Sequence, residues 1–325
     1  LKKTVKKGEY HMRRTIILYI FLALVSFSLI LANPVISQDK KPASAEPPSP
    51  VYAVTFGYGL IYTSVDANTW TLRNSGVNVP LTSLTFGNNM FVAVGAKGTI
   101  LTGSKDGLNW KPVESGITND LRAITFANNK FVAVGADGTV ITSSDGYNWT
   151  KTAELSPGYT LKNIVYGYRN DDHFRIKGYF MTISDKGTIF KSHDGVTWES
   201  EHMKYASNLS CVIYVNELFI AVGKYGAVMT SPIGFGEWIT WFDRYSQTME
   251  NLYSITYGGG RYVTVGANGT IMISDDLSRW NVVSSGTKSH LSAAAYGRGK
   301  FIVVGLDGTI LTSSDGKTWS PAVKK

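Results

Sequence analysis

Tryptophan recurs at a nearly fixed interval: Trp70, Trp110, Trp149, Trp198, Trp238, Trp280 and Trp319 are spaced 40, 39, 49, 40, 42 and 39 residues apart. A period of about 40 residues marks a solenoid or a propeller. The third copy reads LRAITFANNKFVAVGADGTVITSSDGYNW and the seventh LSAAAYGRGKFIVVGLDGTILTSSDGKTW, each 28 positions from Leu to Trp. Each parses into four strands: an alternating Leu-x-x-Ile-x-Phe/Tyr run, an Asn/Gly turn, a Phe-Val-Ala-Val-Gly run, an Asp-Gly or Asn-Gly turn, a Thr-Ile-x-x-Ser run and a Trp-led strand. Helical periodicity is absent. A lone four-stranded sheet with two apolar faces cannot hide both, so successive sheets must stack, and seven of this size suit a closed ring. The expected fold is all-β, a seven-bladed β-propeller over residues 51–325 with a short first blade.

Composition agrees with many short strands joined by tight turns: aromatics are 12%, charged residues 17%, and there are 33 glycines. The single cysteine, Cys211, excludes an internal disulfide and a multi-thiolate metal site. Residues 1–50 hold eight Lys or Arg against three Asp or Glu, leaving 24 against 21 in the remainder. The repeat region is thus nearly neutral, which argues against a nucleic-acid partner.

Thr15 to Ala32 (TIILYIFLALVSFSLILA) carries no charge and follows Arg13 and Arg14. Residues 12–37 are therefore expected to be an export signal, cleaved near Val35-Ile36-Ser37 or Ala43-Ser44-Ala45, or alternatively an uncleaved membrane anchor. Either directs the chain to a secreted, periplasmic or cell-envelope location, with membrane association only through an uncleaved segment. Lys6-Lys7-Gly8-Glu9 can be encoded by a purine run resembling a ribosome-binding site, two codons before His11 and Met12. Residues 1–11 are accordingly expected to be an upstream translation artefact of a bacterial gene starting at Met12. Residues 38–50 have linker composition, and folding is expected to begin near Val51.

At the third turn the copies read Ser104-Lys-Asp106-Gly107, Ser143-Ser-Asp145-Gly146, Ser192-His-Asp194-Gly195 and Ser313-Ser-Asp315-Gly316. This resembles the Asp-box, or BNR, repeat, usually S-x-D-x-G-x-T-W, although these copies are one residue shorter. Ser64/Asp66 and Ser274/Asp276 keep Ser and Asp but lose Gly, and Ser231-Pro232-Ile233-Gly234 is degenerate. The resemblance covers residues 51–325 and includes bacterial propellers of the Ycf48 type, related to photosystem II assembly factors, as well as sialidases. It implies the fold and leaves the activity open between assembly-factor-like binding and glycoside hydrolysis. Asp66, Asp106, Asp145, Asp194, Asp276 and Asp315 are read as structural, accepting turn N–H bonds while Trp packs beneath.

Three copies break the pattern. In copy one, Val51 to Trp70 covers only 19 positions, so a strand is missing. Val51-Tyr-Ala-Val-Thr-Phe56 fits an inner strand or a displaced second strand, and a three-stranded blade is expected. In copy four, Arg169 to Lys177 is an insertion whose Phe174-Arg175-Ile176 is similar to the Phe-Arg-Ile-Pro of sialidases, but Lys177 replaces Pro and the position is mid-ring. A surface loop is the better reading. In copy five, Ile239-Thr240-Trp241-Phe242-Asp243-Arg244-Tyr245 holds the one tryptophan outside the repeat register. Such a cluster suits glycan stacking or a peptide hot spot, or else alternate residues simply pack the outer strand.

A sialidase-like site would need converging arginines, a Tyr/Glu pair and an acid near the channel. The windows VYAVTF, LTSLTF, LRAITF, LKNIVY, LSCVIY, LYSITY and LSAAAY contain no acid, and only Arg122 and Lys162 carry charge. Asp120, Glu250, Asp137, Asp185 and Asp307 remain for the channel mouth, in commonplace turn positions. The histidines His11, His173, His193, His202 and His290 have no ligand-like spacing, and no nucleotide-binding or nucleophile motif is present. The expectation is a monomeric, non-catalytic exported propeller without metal or cofactor, binding a protein or glycan partner on its ring face. The residues proposed for contact are Trp241, Phe242, Arg244, Tyr245, Arg122 and Lys162; a glycoside hydrolase is the alternative.

Overall fold

The computed structural model describes residues 52–168, 178–202, 208–232 and 240–325, together with the backbone of 29–31. These residues form seven sheets, six of them four-stranded antiparallel meanders, arranged as a seven-bladed β-propeller. Blade three illustrates the plan: Leu121–Ala127, Lys130–Gly135, Thr139–Ser143 and Thr150–Glu154 run from channel to rim. Phe131 stands opposite Phe126 on one side and Ser143 on the other.

The Phe-Val-Ala-Val run reads as continuously apolar because its sheet is covered on both faces. Phe131, Val132, Ala133 and Val134 are all fully buried. Val92, Val94 and Ile100 of blade two pack on Leu121, Ile124 and Phe131 of blade three, and equivalent clusters fill the successive interfaces. Closure occurs where Tyr52, Val54, Phe56 and Trp70 of blade one meet Ala293, Ile302, Val304 and Ile310 of blade seven. At roughly 1.5–3 kcal/mol for each fully buried large side chain, these interfaces drive the ring shut.

The rim turns explain the Ser-x-Asp pattern. In blade three, Asp145 Oδ1 accepts the backbone N–H groups of Tyr147 and Asn148, each at 2.8 Å, while Gly146 N–H donates to Ser143 Oγ at 2.8 Å. Trp149 Nε1 then donates to Gly146 O at 3.0 Å. Where Gly is missing, Ala67 and Leu277 take the left-handed conformation instead, at φ 64° and 65°. Backbone N–H bonds hold the Asp194 and Asp315 carboxyls down at about 2 and lower Asp66 and Asp145, while the hydroxyls of Ser104 and Ser278 do most to lower Asp106 and Asp276.

Blade one corrects the expectation of three strands. β2 (Tyr52–Phe56), β3 (Leu60–Ser64) and β4 (Thr69–Arg73) occupy the second, third and outer positions, so the first of the seven windows is a second strand. The inner position is filled by β1 (Leu29–Leu31), from the apolar amino-terminal run and upstream of the expected start near Val51. On the rim, Val323–Lys324 adds parallel to β4. Both edges of the three-stranded unit β2, β3 and β4 are thus paired with distant chain. The insertion Arg169 to Lys177, Trp238 and most of the degenerate fifth rim turn lie outside the described residues.

Candidate functional site at the ring face

One backbone device sets the chemistry of the channel. In each of the six complete blades the pairing of inner and second strands shifts at the second inner residue, giving a β-bulge. A bulge re-aims the side chain it carries. The bulged residues are Thr82, Arg122, Lys162, Ser210, Tyr253 and Ser292. All but Thr82 line a central cavity of about 320 Å³, together with Ser83, Asn163, Cys211 and Ser254.

The polar residues after the bulge serve the fold. Ser83, Asn163 and Ser254 accept the backbone N–H groups of Ile124, Val212 and Ala294 in the following blade, at 3.1, 3.4 and 3.1 Å. Burial pushes the thiol of Cys211, in the same position, above its ordinary range. Thr82 Oγ1 donates to Leu121 O of the next blade at 2.7 Å, and Lys162 Nζ likewise reaches Leu209 O.

The acids foreseen at the channel mouth are tied into the ring face. Asp120 pairs with Arg122 at 3.1 Å and accepts the Lys97 N–H at 2.9 Å. Asn251 and His290, at the equivalent place before their inner strands, accept the N–H groups of Tyr225 and Asn268 at 3.1 Å each. Asp137 accepts from Asn119, Glu250 from Asn268 and Asp185 from the Thr160 N–H, while Asp307 closes its own turn onto Thr309. Among the described residues no carboxylate lines the cavity, so they do not assemble there the pair of acids that glycoside hydrolysis requires. Among the described residues no group of three or more His, Cys, Asp or Glu side chains converges as a metal site.

Desolvation pushes the Lys162 ammonium down to about 8; Asp185 opposes that fall and Lys224 adds to it. Lys162 lines the channel and Lys224 stands in the blade-five turn. Next to Lys224 stands Tyr225, 65% exposed and left-handed at φ 57°. Its turn is bonded to the link leaving the same blade, since Ser246 Oγ donates to Gly226 O at 2.6 Å. That link presents Tyr245 and Met249, 80% and 78% exposed. Gln247 within it is left-handed at φ 65°, where the matching links have Gly76, Gly116 and Gly286. A Cβ in this region of backbone space is strained, and such strain collects at functional positions.

The residues proposed from sequence separate into two groups. Arg122 and Lys162 share the cavity. Phe242 and Tyr245 are exposed at the blade-five corner, where Phe242–Arg244 forms the outer strand. Trp241 is half-buried against the cluster of Met181, Ile183, Phe219 and Met229, so its ring is core material rather than an open platform. Arg244 Nε donates to Thr230 Oγ1 at 3.0 Å, as Arg73 does to Thr63 in blade one at 2.7 Å, which marks a recurring strand clip. Sequence reasoning missed Tyr225 and Met249. The available signal was a tyrosine at a turn position that holds Lys97, Asp137 and Asn268 in three other copies, although blade one has Tyr58 there.

The family model described as the DUF6242 beta propeller domain matches residues 83–209. Among curated proteins none matches. Among solved structures, YCF48 from Cyanidioschyzon merolae aligns with TM-score 0.63 and 15% identity, over 80% of this chain and 90% of that one. YCF48 bound to D1 peptide aligns with TM-score 0.64 and 15% identity, over 82% and 88%. The Cps50 (Swd1) propeller domain of Myceliophteria thermophila aligns at 0.61 with 11% identity, over 81% and 93%. At these identities the likeness is one of fold.

Proposed function

We propose that this protein is a non-catalytic, exported propeller that captures an extended acidic segment of a partner protein on its ring face, in the manner of an assembly factor. The observation that carries this reading is a run of groups of matched chemistry. Arg122 and Lys162 line the central cavity, and blade five exposes Lys224, Tyr225, Tyr245, Met249 and Phe242. Cations over a partly desolvated cavity favour carboxylates, and neighbouring exposed aromatics supply apolar anchors at low entropic cost. The likeness in fold to YCF48 bound to D1 peptide supports a peptide as the ligand class.

Fluorescence anisotropy with a library of acidic, aromatic-containing peptides tests this. Tyr225→Ala with Tyr245→Ala should weaken binding by at least about tenfold at unchanged Tm, roughly 1.4 kcal/mol. Binding should also weaken as pH rises through about 8, where Lys162 loses its charge. Lys162→Met should remove that pH dependence. Indifference of binding to both substitutions, or retention of neutral glycans in place of peptides, would overturn the proposal.

A further inference from the structure

We propose that the apolar amino-terminal run is divided between two tasks: residues up to Ser28 direct export, and cleavage after Ser28 frees Leu29–Leu31 as the inner strand that completes blade one. Chain from Val51 onward supplies blade one with β2, β3 and β4 and, on the outer rim, Val323–Lys324, and leaves the inner position open. The vacancy lies at the inner edge of β2, whose Tyr52, Ala53, Val54, Thr55 and Phe56 are all buried. A strand edge enclosed between neighbouring blades leaves backbone N–H and C=O groups without water or partner. β1 supplies partners in antiparallel register, Leu29 opposite Val54, Ile30 opposite Ala53 and Leu31 opposite Tyr52. It lies beside the inner strands of blades two and seven, which closes the circle of inner strands.

The sequence around β1 fits this division. Arg13 and Arg14 precede an apolar stretch, Thr15 to Val25, of the length used by an export signal. Ser26-Phe27-Ser28 then offers small residues at the two positions a signal peptidase reads, directly before Leu29. The connection from Leu31 to Tyr52 is long enough to reverse direction and reach the antiparallel register, at roughly 3.3 Å per residue. A membrane helix over Thr15 to Ala32 and a strand at Leu29–Leu31 exclude each other, because a bilayer-spanning segment must satisfy its own backbone. Cleavage near Ser37 or Ala45 would discard the strand.

The test is export of the whole chain from a bacterial host, followed by intact mass of the mature protein. A mature chain starting at Leu29 is expected; a start beyond Leu31, or no cleavage at all, overturns the proposal. Ile30→Pro with Leu31→Pro removes whichever of the two amides donates to β2. The double variant should lower Tm by more than about 2 °C, and a smaller change overturns the assignment. Should it fail to fold, hydrogen exchange on the unsubstituted mature protein decides. The Ile30 and Leu31 amides must then be protected like those of Tyr52–Phe56, and rapid exchange at both refutes the pairing.

Discussion

Blades one and five both depart from the repeat, in opposite ways. Blade one lacks a strand in the core, and the defect is repaired: Leu29–Leu31 fills the inner edge and Val323–Lys324 extends the rim. Blade five keeps its core and departs on the surface, where Tyr225, Phe242, Tyr245 and Met249 stay exposed and Gln247 holds a conformation that glycine holds elsewhere. Some features are shared. Tyr58 and Tyr225 occupy the same left-handed turn position, and Arg73 and Arg244 make the same clip to a threonine. A departure that would open the core is compensated by the fold. One that exposes apolar groups without compensation is where partner recognition is to be sought.

The largest effect should come from the tryptophans. Trp70 is fully buried at the blade-one closure, so Trp70→Ala should cost about 3–5 kcal/mol in urea unfolding. Trp241→Ala, removing a half-buried ring, should cost about 1–2 kcal/mol. Trp241 is therefore a poor probe of binding, and equal costs for the two substitutions would erase the contrast between blades. The exposed tyrosines give the sharper comparison. Tyr58→Ala and Tyr225→Ala should each change stability by less than about 0.5 kcal/mol. Only the second should weaken peptide binding, and equal loss from both would place recognition around the whole ring.

A smaller effect concerns acid. Asp194 and Asp315 have folded-state carboxyls near 2, below their ordinary 3.8, so their stabilisation is complete above about pH 4 and lost as pH falls through about 2. Both are exposed, so each should contribute less than about 1 kcal/mol. Asp194→Asn with Asp315→Asn should flatten the acid limb of a Tm-against-pH curve. Blade five has no aspartate in its rim motif and should contribute nothing to that limb. Smallest of all, Gln247→Gly should stabilise by about 0.5 kcal/mol, as relief of a left-handed Cβ outweighs glycine's freedom in the unfolded chain. A loss of stability would show that the Gln247 side chain makes a contact worth more than its strain.

The two regions also differ in how far sequence alone reveals them. Seven blades and the four-strand plan follow from tryptophan spacing and period-two alternation, because both are local patterns repeated many times. Phe242 and Tyr245 stood out as unique to one copy. Tyr225 and Met249 did not, since a turn residue and a link residue some twenty positions apart become neighbours only when the turn bonds to the link. Arg122 and Lys162 were recognisable as the charged inner-strand residues, but nothing local announced the bulges that aim them into one cavity.

The sequence by itself determined the repeating unit, its number and the covering of both sheet faces, because hydrophobic periodicity fixes which side of each strand must leave water. Tertiary structure alone decided what completes the first blade and which exposed residues of blade five share a surface. Those outcomes depend on pairing between segments far apart in the chain, where the free energy comes from ring closure and backbone partners rather than from any property of the segments themselves.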